Sequence, residues 1–221
     1  KGIAKKLVQA DGSPQAKYDV IRFKQYKQDK TGIIEKIEDY FEYPVFIKPA
    51  NMGSSVGITK AHNRKELKGA IELAGEHDRK IVIEENIGGR EIECAVLGND
   101  DPIASLPAEI IPTAEFYDYH DKYIAGTTRF VVPADLPEDT TEKVRDTAIK
   151  VYKLLDCTGL ARVDFFIEDG TDRILLNEVN TMPGFTKISM YPKMMDVTGI
   201  KYEDLIDRLI ALAIERFNER N

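Results

Sequence analysis

Four polar residues that could act together on a metal-bound substrate lie in two apolar runs of the second half of the chain. Arg162 and Asp164 are two positions apart in the first run, and Glu178 and Asn180 are two positions apart in the second. Side chains two positions apart on a strand share a face. Carboxylate and amide oxygens suit Mg2+, which proteins usually hold by one or two carboxylates together with substrate phosphates. The pattern therefore predicts half of a metal-nucleotide site.

The two runs are typical of the strands of an antiparallel hairpin over residues 160–184, with turn residues at 168–172. With the turn centred near Thr171, three pairs of side chains are predicted to face each other on one side: Asp164 and Glu178, Phe166 and Leu176, and Arg162 and Asn180. Like charges directly opposite are destabilising unless something compensates, and a divalent cation would do so. The alternative is two solvated acids on an exposed sheet face.

A second candidate site is a loop of small residues that follows a lysine at the end of a strand. The strand-like run Val45–Pro49 contains Lys48, and residues 53–57 read Gly-Ser-Ser-Val-Gly. Such a loop lets the backbone approach a phosphate closely, while hydroxyl and ammonium groups donate hydrogen bonds. It is not a Walker A loop, because no Gly-Lys-Ser/Thr opens a helix. An ordinary hairpin turn is the competing interpretation.

The elements around these residues suggest two lobes. A strand at residues 81–85 and another at 91–97 flank Gly88 and Gly89, which predicts a lobe boundary with lobes at 1–87 and 88–221, unless the glycines form a simple turn. The irregular aromatic stretch at 113–130 is typical of an active-site lid. Strand pairs interspersed with helices favour the α+β class over a regular βαβ wind. One helix is expected to bury Leu67, Ala70, Ile71 and Ala74.

The composition of the chain limits the classes of binding partner that can be expected. The chain of 221 residues has 43% hydrophobic and 31% charged residues, which is ordinary for a globular protein. A net charge of -7 argues against nucleic acid as the main partner, so any phosphate must be met by local basic groups. No apolar run approaches about 18 residues, and no signal peptide is visible, so no membrane partner is expected. Cys94 and Cys157 are expected to be reduced, buried and inert, which fits a cytoplasmic location.

Five segments in order resemble the D-alanine--D-alanine ligases of the ATP-grasp superfamily, and the resemblance extends from the first residue to the last helix. They are residues 46–57, 84–91, 119–123, 162–164 and 177–184. The resemblance implies two α+β lobes with antiparallel sheets clamping ATP. It implies that one D-alanine carboxylate attacks the γ-phosphate of ATP, and that the amine of a second D-alanine attacks the acyl phosphate, giving D-alanyl-D-alanine for peptidoglycan precursors.

The same resemblance implies roles for individual residues. The Mg2+ ligands would be Asp164, Glu178 and Asn180, with two ions expected and Mn2+ as a substitute. The residues on ATP would be Lys1, Lys48, Ser55, Glu84, Glu85, Ile87, Glu91 and Lys122. The residues that act on or place the substrates would be Arg162, Lys122, Tyr123, Ser54, Gly184 and Ser189.

Specificity and completeness leave alternatives open. Tyr123 and the apolar Met190 favour D-alanine as second substrate, whereas relatives that use D-lactate or D-serine often differ around both positions. The family's additional N-terminal domain, which carries a glutamate for the first substrate, has no match here. The chain could therefore serve another ATP-grasp carboxylate-amine ligation, or be a catalytically silent Mg-ATP-binding fragment. A homodimer is a further expectation.

Overall fold

The computed structural model describes residues 1–53, 55–111, 129–186 and 189–219. Helices and strands alternate irregularly along the chain, and every strand pair is antiparallel, so the predicted α+β class is confirmed. The helices are α1 (Gly2–Asp11), α2 (Phe23–Gln28), α3 (Lys30–Tyr40), α4 (Arg64–His77), α5 (Glu138–Leu154), α6 (Met190–Val197) and α7 (Tyr202–Asn218). The strands are β1 (Tyr18–Arg22), β2 (Val45–Pro49), β3 (Thr59–Ala61), β4 (Lys80–Glu85), β5 (Gly89–Gly98), β6 (Ile103–Ala104), β7 (Ala108–Ile111), β8 (Arg129–Val131), β9 (Gly159–Glu168) and β10 (Ile174–Asn180).

The described residues form two compact units. The first contains Lys1–Lys6 and Ala16–Gly88, and the second contains Leu7–Gln15, Gly89–Ile111 and the described part of 129–221. The longest described stretch of the first unit thus ends at Gly88. The lobe bounds 1–87 and 88–221 stay a prediction. Of the predicted lid at 113–130, only residues 129 and 130 are described, and they open strand β8.

The first unit is built on a four-stranded sheet in the order β1-β4-β2-β3. One face of the sheet is apolar, because Ile21, Ile47 and Ile83 point to the same side and pack in one core with residues of α3 and α4. Helix α4 begins after Asn63, whose side chain accepts hydrogen bonds from the backbone N–H groups of Lys65 and Glu66. The predicted buried face of this helix, Leu67, Ala70, Ile71 and Ala74, is confirmed.

The second unit contains a six-stranded sheet in the order β10-β9-β5-β7-β8, with β6 paired to β5. Side chains alternate across strand β5. Ile92, Cys94 and Val96 join a core with α5, whereas Ala95 and Leu97 join a core with α6 and α7. The sheet is therefore covered by helices on both faces.

Two expectations from composition can be compared with the structure. Cys94 and Cys157 are both free thiols. Cys94 is buried as expected, but Cys157 is only half-buried, because it follows the end of α5 and packs at the margin of the core. Over the described ranges, no helix is both long and apolar enough to cross a membrane.

Candidate active site

A row of three carboxylates crosses the sheet of the second unit. Glu93 on β5 lies directly opposite Asp164 on β9, and Asp164 lies directly opposite Glu178 on β10. Glu93 and Asp164 are each 3% exposed, while Glu178 is half-buried. Neighbouring strands are only about 4.8 Å apart, so adjacent acids at this spacing repel each other unless positive charge is supplied.

Arg162 supplies part of that charge. Its Nε and one terminal nitrogen each donate a hydrogen bond of 2.7 Å to an Asp164 oxygen, which makes the pair bidentate. The same Nε lies 3.0 Å from Oε1 of Glu93. Burial opposes the charge on this guanidinium, but Asp164, Glu93 and Glu178 outweigh it and raise the pKa of Arg162 above its ordinary value. Arg162 is therefore a permanent cation among three acids.

The hairpin has the predicted pairs at its polar end. Asp164 lies opposite Glu178, and Arg162 lies opposite Asn180. The predicted pairing of Phe166 with Leu176 is wrong, because Leu176 lies opposite Phe165. Asn177 is an additional residue in β10, a β-bulge that shifts the register between Leu176 and Glu178.

The loop after β10 brings Gly184 and Ser189 together. The backbone N–H and the hydroxyl of Thr186 lie 3.0 and 2.9 Å from the Ser189 hydroxyl oxygen. A Cβ atom at position 184 would lie 3.0 Å from the same oxygen, so a residue larger than glycine would crowd it. Asn180 orients the start of this loop, since its side-chain oxygen accepts a hydrogen bond of 3.2 Å from the Met182 N–H.

In the first unit, Glu84 lies between two lysines. Its carboxylate is 2.6 Å from Lys48 Nζ and 3.4 Å from Lys5 Nζ, and the Glu84 and Lys5 side chains are almost fully buried. Burial would raise the pKa of Glu84, but the two ammonium groups prevail and hold it below its usual range. Lys48 and Glu84 project from the side of the four-stranded sheet opposite its apolar core, and Lys5 reaches Glu84 from α1.

The small-residue loop after β2 is a pair of tight turns rather than part of a regular strand. The Val56 N–H donates to the Gly53 carbonyl and the Ile58 N–H to the Ser55 carbonyl, at 3.1 and 3.2 Å. Ser55 has a positive φ of 60°, an uncommon backbone conformation for a residue other than glycine. Lys1 precedes α1 and lies near this segment, since its terminal ammonium donates to the Ala50 carbonyl at 3.0 Å.

The predicted adenine and ribose residues fall on adjoining elements of different units. Glu85 ends β4, and its carboxylate accepts a hydrogen bond of 2.6 Å from the Lys17 N–H, which is a structural contact. Ile87 is half-buried in the segment after it, and Glu91 is half-buried in β5. Ser54, Lys122 and Tyr123 lie outside the described residues.

Sequence reasoning missed Lys5 and Glu93, the two charged residues that complete these clusters. Lys5 lies one helical turn after Lys1, and Glu93 lies two residues after Glu91 on one face of a strand. Both spacings can be seen in the sequence, but charged residues on an exposed surface occur at the same spacings. Their burial is set by the packing of residues distant in sequence, which no local pattern reports.

The donor set on β9 and β10 fits a divalent cation. The three carboxylates of the row face Arg162 in a partly buried setting, and Asn180 adds an amide opposite Arg162. Across the described ranges, no group of three or more His, Cys, Asp or Glu side chains is arranged to hold a metal ion. A site of two carboxylates and an amide agrees with the habit of Mg2+ of taking further ligands from water and phosphates.

Comparison with known proteins identifies relatives along the whole chain. Residues 7–211 match the family model described as D-ala D-ala ligase C-terminus. The D-alanine--D-alanine ligase of Acetivibrio thermocellus is 55% identical over 216 residues, which is 98% of this chain and 57% of the relative. The chain thus spans less than two thirds of the length of the curated relatives that it matches.

Solved structures give the same result. The D-alanine-D-alanine ligase from Coxiella burnetii superposes with a TM-score of 0.86 at 36% identity, over 100% of this chain and 57% of that one. The VanG D-Ala:D-Ser ligase from Enterococcus faecalis also gives 0.86, at 39% identity, over 96% of this chain and 60% of that one. The predicted ATP-grasp fold is confirmed by these neighbours.

Proposed function

Because this chain belongs to the D-alanine--D-alanine ligase family, whose C-terminal part it matches, we propose that it is the ATP-grasp part of an enzyme that joins two D-alanine molecules at the expense of ATP. The reaction passes through a D-alanyl phosphate and yields D-alanyl-D-alanine for peptidoglycan synthesis. The cofactors are ATP and two Mg2+ ions, with Mn2+ as a substitute, and the enzyme works in the cytoplasm.

The observation that carries the proposal is the polar end of the β9–β10 hairpin. Asp164, Glu178 and Asn180 offer the oxygen ligands that Mg2+ prefers, and Arg162 lies among them. Phosphoryl transfer needs positioning and positive charge more than covalent help from the protein. A surface that combines metal ligands with a permanently charged guanidinium meets that need.

The second unit would act on the reacting groups. Asp164, Glu178 and Asn180 would hold Mg2+, which would supply positive charge to offset the phosphate oxygens. Arg162 stabilises the negative charge that develops on the transferring phosphoryl group and on the tetrahedral intermediate, because it keeps its proton at every physiological pH. The backbone at Gly184 would help Arg162 to stabilise this intermediate, and the hydroxyl of the nearby Ser189 would take the carboxylate of the second substrate.

The first unit would hold the nucleotide. Lys48 meets the phosphates, with Ser55 and Lys1 contributing from the small-residue loop and the start of α1. Glu84, Glu85 and Ile87 meet the adenine largely through backbone groups, and Glu91 of the second unit binds the ribose hydroxyls. Lys122, Tyr123 and Ser54 complete the substrate contacts by resemblance.

The acceptor is D-alanine in this proposal, with D-serine as the second candidate. Met190 is apolar and opens helix α6, next to Ser189. D-serine remains the alternative because a D-Ala:D-Ser ligase superposes as closely as a D-alanine-D-alanine ligase does. A third hypothesis is that the chain binds Mg-ATP without catalysing a reaction, and the experiment below distinguishes it from a ligase.

The experiment is a competition assay. Protein is incubated with Mg-ATP and equal D-alanine, D-serine and D-lactate, and products are identified by mass spectrometry. We expect D-alanyl-D-alanine as the main product from a protein of the relatives' full length. A main product with D-serine or D-lactate would overturn the acceptor, and Mg-ATP binding without D-alanine-dependent ADP release would overturn the ligase assignment.

A further inference from the structure

Glu93 is a buried acid for which the ligation reaction described above has no use. It lies on β5 directly opposite Asp164, and Oε1 is 3.0 Å from Arg162 Nε. A buried carboxylate beside another carboxylate costs stability unless it has a purpose or a compensating cation. Its location beside both Arg162 and a predicted metal ligand suggests what that purpose is.

The geometry around Arg162 shows a competition for one proton. Nε of an arginine carries a single hydrogen. It is 2.7 Å from Asp164 Oδ1 and 3.0 Å from Glu93 Oε1, so both acids are within reach of one donor. Both oxygens of Asp164 are engaged by the guanidinium, the second through a terminal nitrogen at 2.7 Å.

The bidentate contact with Arg162 uses one lone pair on each Asp164 oxygen, so a cation bound by this carboxylate competes with the guanidinium for it. When Asp164 binds Mg2+, its bidentate contact with Arg162 has to weaken. Without a second acceptor, the guanidinium would follow Asp164 or turn away from this face of the sheet. Glu93 offers a second acceptor that is held on the neighbouring strand and almost fully buried.

We propose that Glu93 is a positioning residue that keeps Arg162 on this face of the sheet once Asp164 has turned its oxygens to Mg2+. Arg162 then changes its main partner from Asp164 to Glu93 and stays where the phosphoryl group is transferred. Glu93 touches neither substrate nor metal in this scheme. The inference rests on the proposed function, because it needs Asp164 to be a metal ligand.

The test follows the Arg162 Nε–H group by proton–nitrogen NMR in the protein with ADP, first with EDTA and then with excess MgCl2. Arg162→Lys assigns the signal. In the unaltered protein, we expect the signal to shift on adding MgCl2 and to stay protected from exchange with water. In Glu93→Gln, we expect protection with EDTA and its loss with MgCl2.

A Mg2+ titration of ADP binding gives a second readout. Groups that support metal ligands typically change metal affinity about 10- to 100-fold, so Glu93→Gln should raise the half-saturating Mg2+ concentration about tenfold or more. The matched control is Glu109→Gln, which removes a partly buried acid paired with Arg90 at 2.6 Å in the same sheet. Glu109 lies opposite Ile92, so its side chain is on the other face. The half-saturating Mg2+ concentration of Glu93→Asp should lie between those of Glu93→Gln and the unaltered protein.

The outcomes separate this inference from the proposed function. If the Nε–H signal of the unaltered protein ignores MgCl2, Asp164 is not a metal ligand, and both fail. If it shifts in the unaltered protein but stays protected in Glu93→Gln, the metal site stands and the role of Glu93 is wrong. Loss of protection in Glu93→Gln already with EDTA would contradict an exchange of partners. If Glu109→Gln raised the half-saturating Mg2+ concentration as much as Glu93→Gln, Glu93 would act only through its general negative charge and not by positioning Arg162.

Discussion

The carboxylate of Glu84 lies 2.6 Å from the ammonium group of Lys48 on the neighbouring strand, and both side chains are largely buried. Lys5 approaches the same carboxylate from α1 at 3.4 Å. The acid thus lies between two cations that would otherwise repel each other more strongly, and it holds Lys48 on the face of the sheet proposed to meet phosphate.

Glu84→Gln should therefore destabilise the protein strongly. The change keeps the volume but leaves two buried lysines without their shared acid, and breaking a buried pair typically costs about 3 to 5 kcal/mol. Urea unfolding followed by circular dichroism measures the loss. Asp19→Asn is the control, because it removes the exposed pair with Lys36 and should cost no more than about 1 kcal/mol. Equal losses in the two variants would contradict the assigned role.

The stability difference between the unaltered protein and Glu84→Gln should depend on pH. Because its two lysines hold the pKa of Glu84 below the usual value, its charge stabilises the fold above the unfolded pKa of about 4.3, and that stabilisation is lost as pH falls through the folded pKa. We expect a constant difference in unfolding free energy between about pH 6 and 8. It should shrink below about pH 4.3. A difference that persists unchanged into acid would be inconsistent with this linkage.

Glu178→Gln should impair Mg2+ use while leaving the fold intact. The amide keeps the shape of the side chain and removes a charge opposite Asp164, so unfolding free energy should stay the same or rise slightly. The Mg2+ concentration for half-maximal ATP turnover should rise at least about tenfold. Glu168→Gln, at the far end of β9, is the control and should leave the Mg2+ titration unchanged. A parallel loss of stability and turnover would point to a structural role for Glu178.

The two thiols should differ in reactivity. Burial raises the pKa of Cys94 to about 12, so at pH 8 only about one thiol in ten thousand is ionised. Burial also raises the pKa of the half-buried Cys157. Iodoacetamide followed by mass spectrometry should label Cys157 slowly and leave Cys94 unmodified until the protein is unfolded in guanidinium. Rapid labelling of Cys94 in native protein would disprove the burial.

Gly89 should not tolerate a side chain. Its φ of 155° lies outside the range that other residues adopt readily, and a Cβ atom there would overlap the Ile167 carbonyl oxygen on β9. Gly89→Ala should lower the unfolding free energy by more than about 1 kcal/mol. Gly69→Ala is the matched control, since that position lies within α4 with open space around it, and alanine should stabilise the helix by about 0.5 to 1 kcal/mol. Equal effects in the two variants would contradict the clash.

The sequence pattern was sufficient to predict structure where side chains repeat at a regular spacing and their partners are close along the chain. The buried face of α4 follows from the spacing of Leu67, Ala70, Ile71 and Ala74. Counting outward from a turn centred on Thr171 gave the pair of Asp164 and Glu178 only because the additional residue Asn177 offset an error of one position nearer the turn. Counting residues from the turn gave the wrong partner for Leu176, because the residue types of a strand do not reveal where a β-bulge adds a residue. Lys5 and Glu93 could not be assigned at all, since their significance depends on partners 79 and 69 positions away along the chain.

The bulge at Asn177 gives strand β10 an unusual tolerance to change. On its turn side, Leu176 joins the apolar core with Phe165, and past the bulge Glu178 joins the polar face with Asp164. Leu176 and Glu178 thus point to opposite faces of the sheet, although residues two positions apart in a regular strand would share a face. Exchanging the Asn177 side chain should matter little, whereas deleting the residue would slide Glu178 and Asn180 to the wrong face or pull Leu176 out of the core. Natural variation in this strand is accordingly expected to preserve its length more strictly than the identity of residue 177.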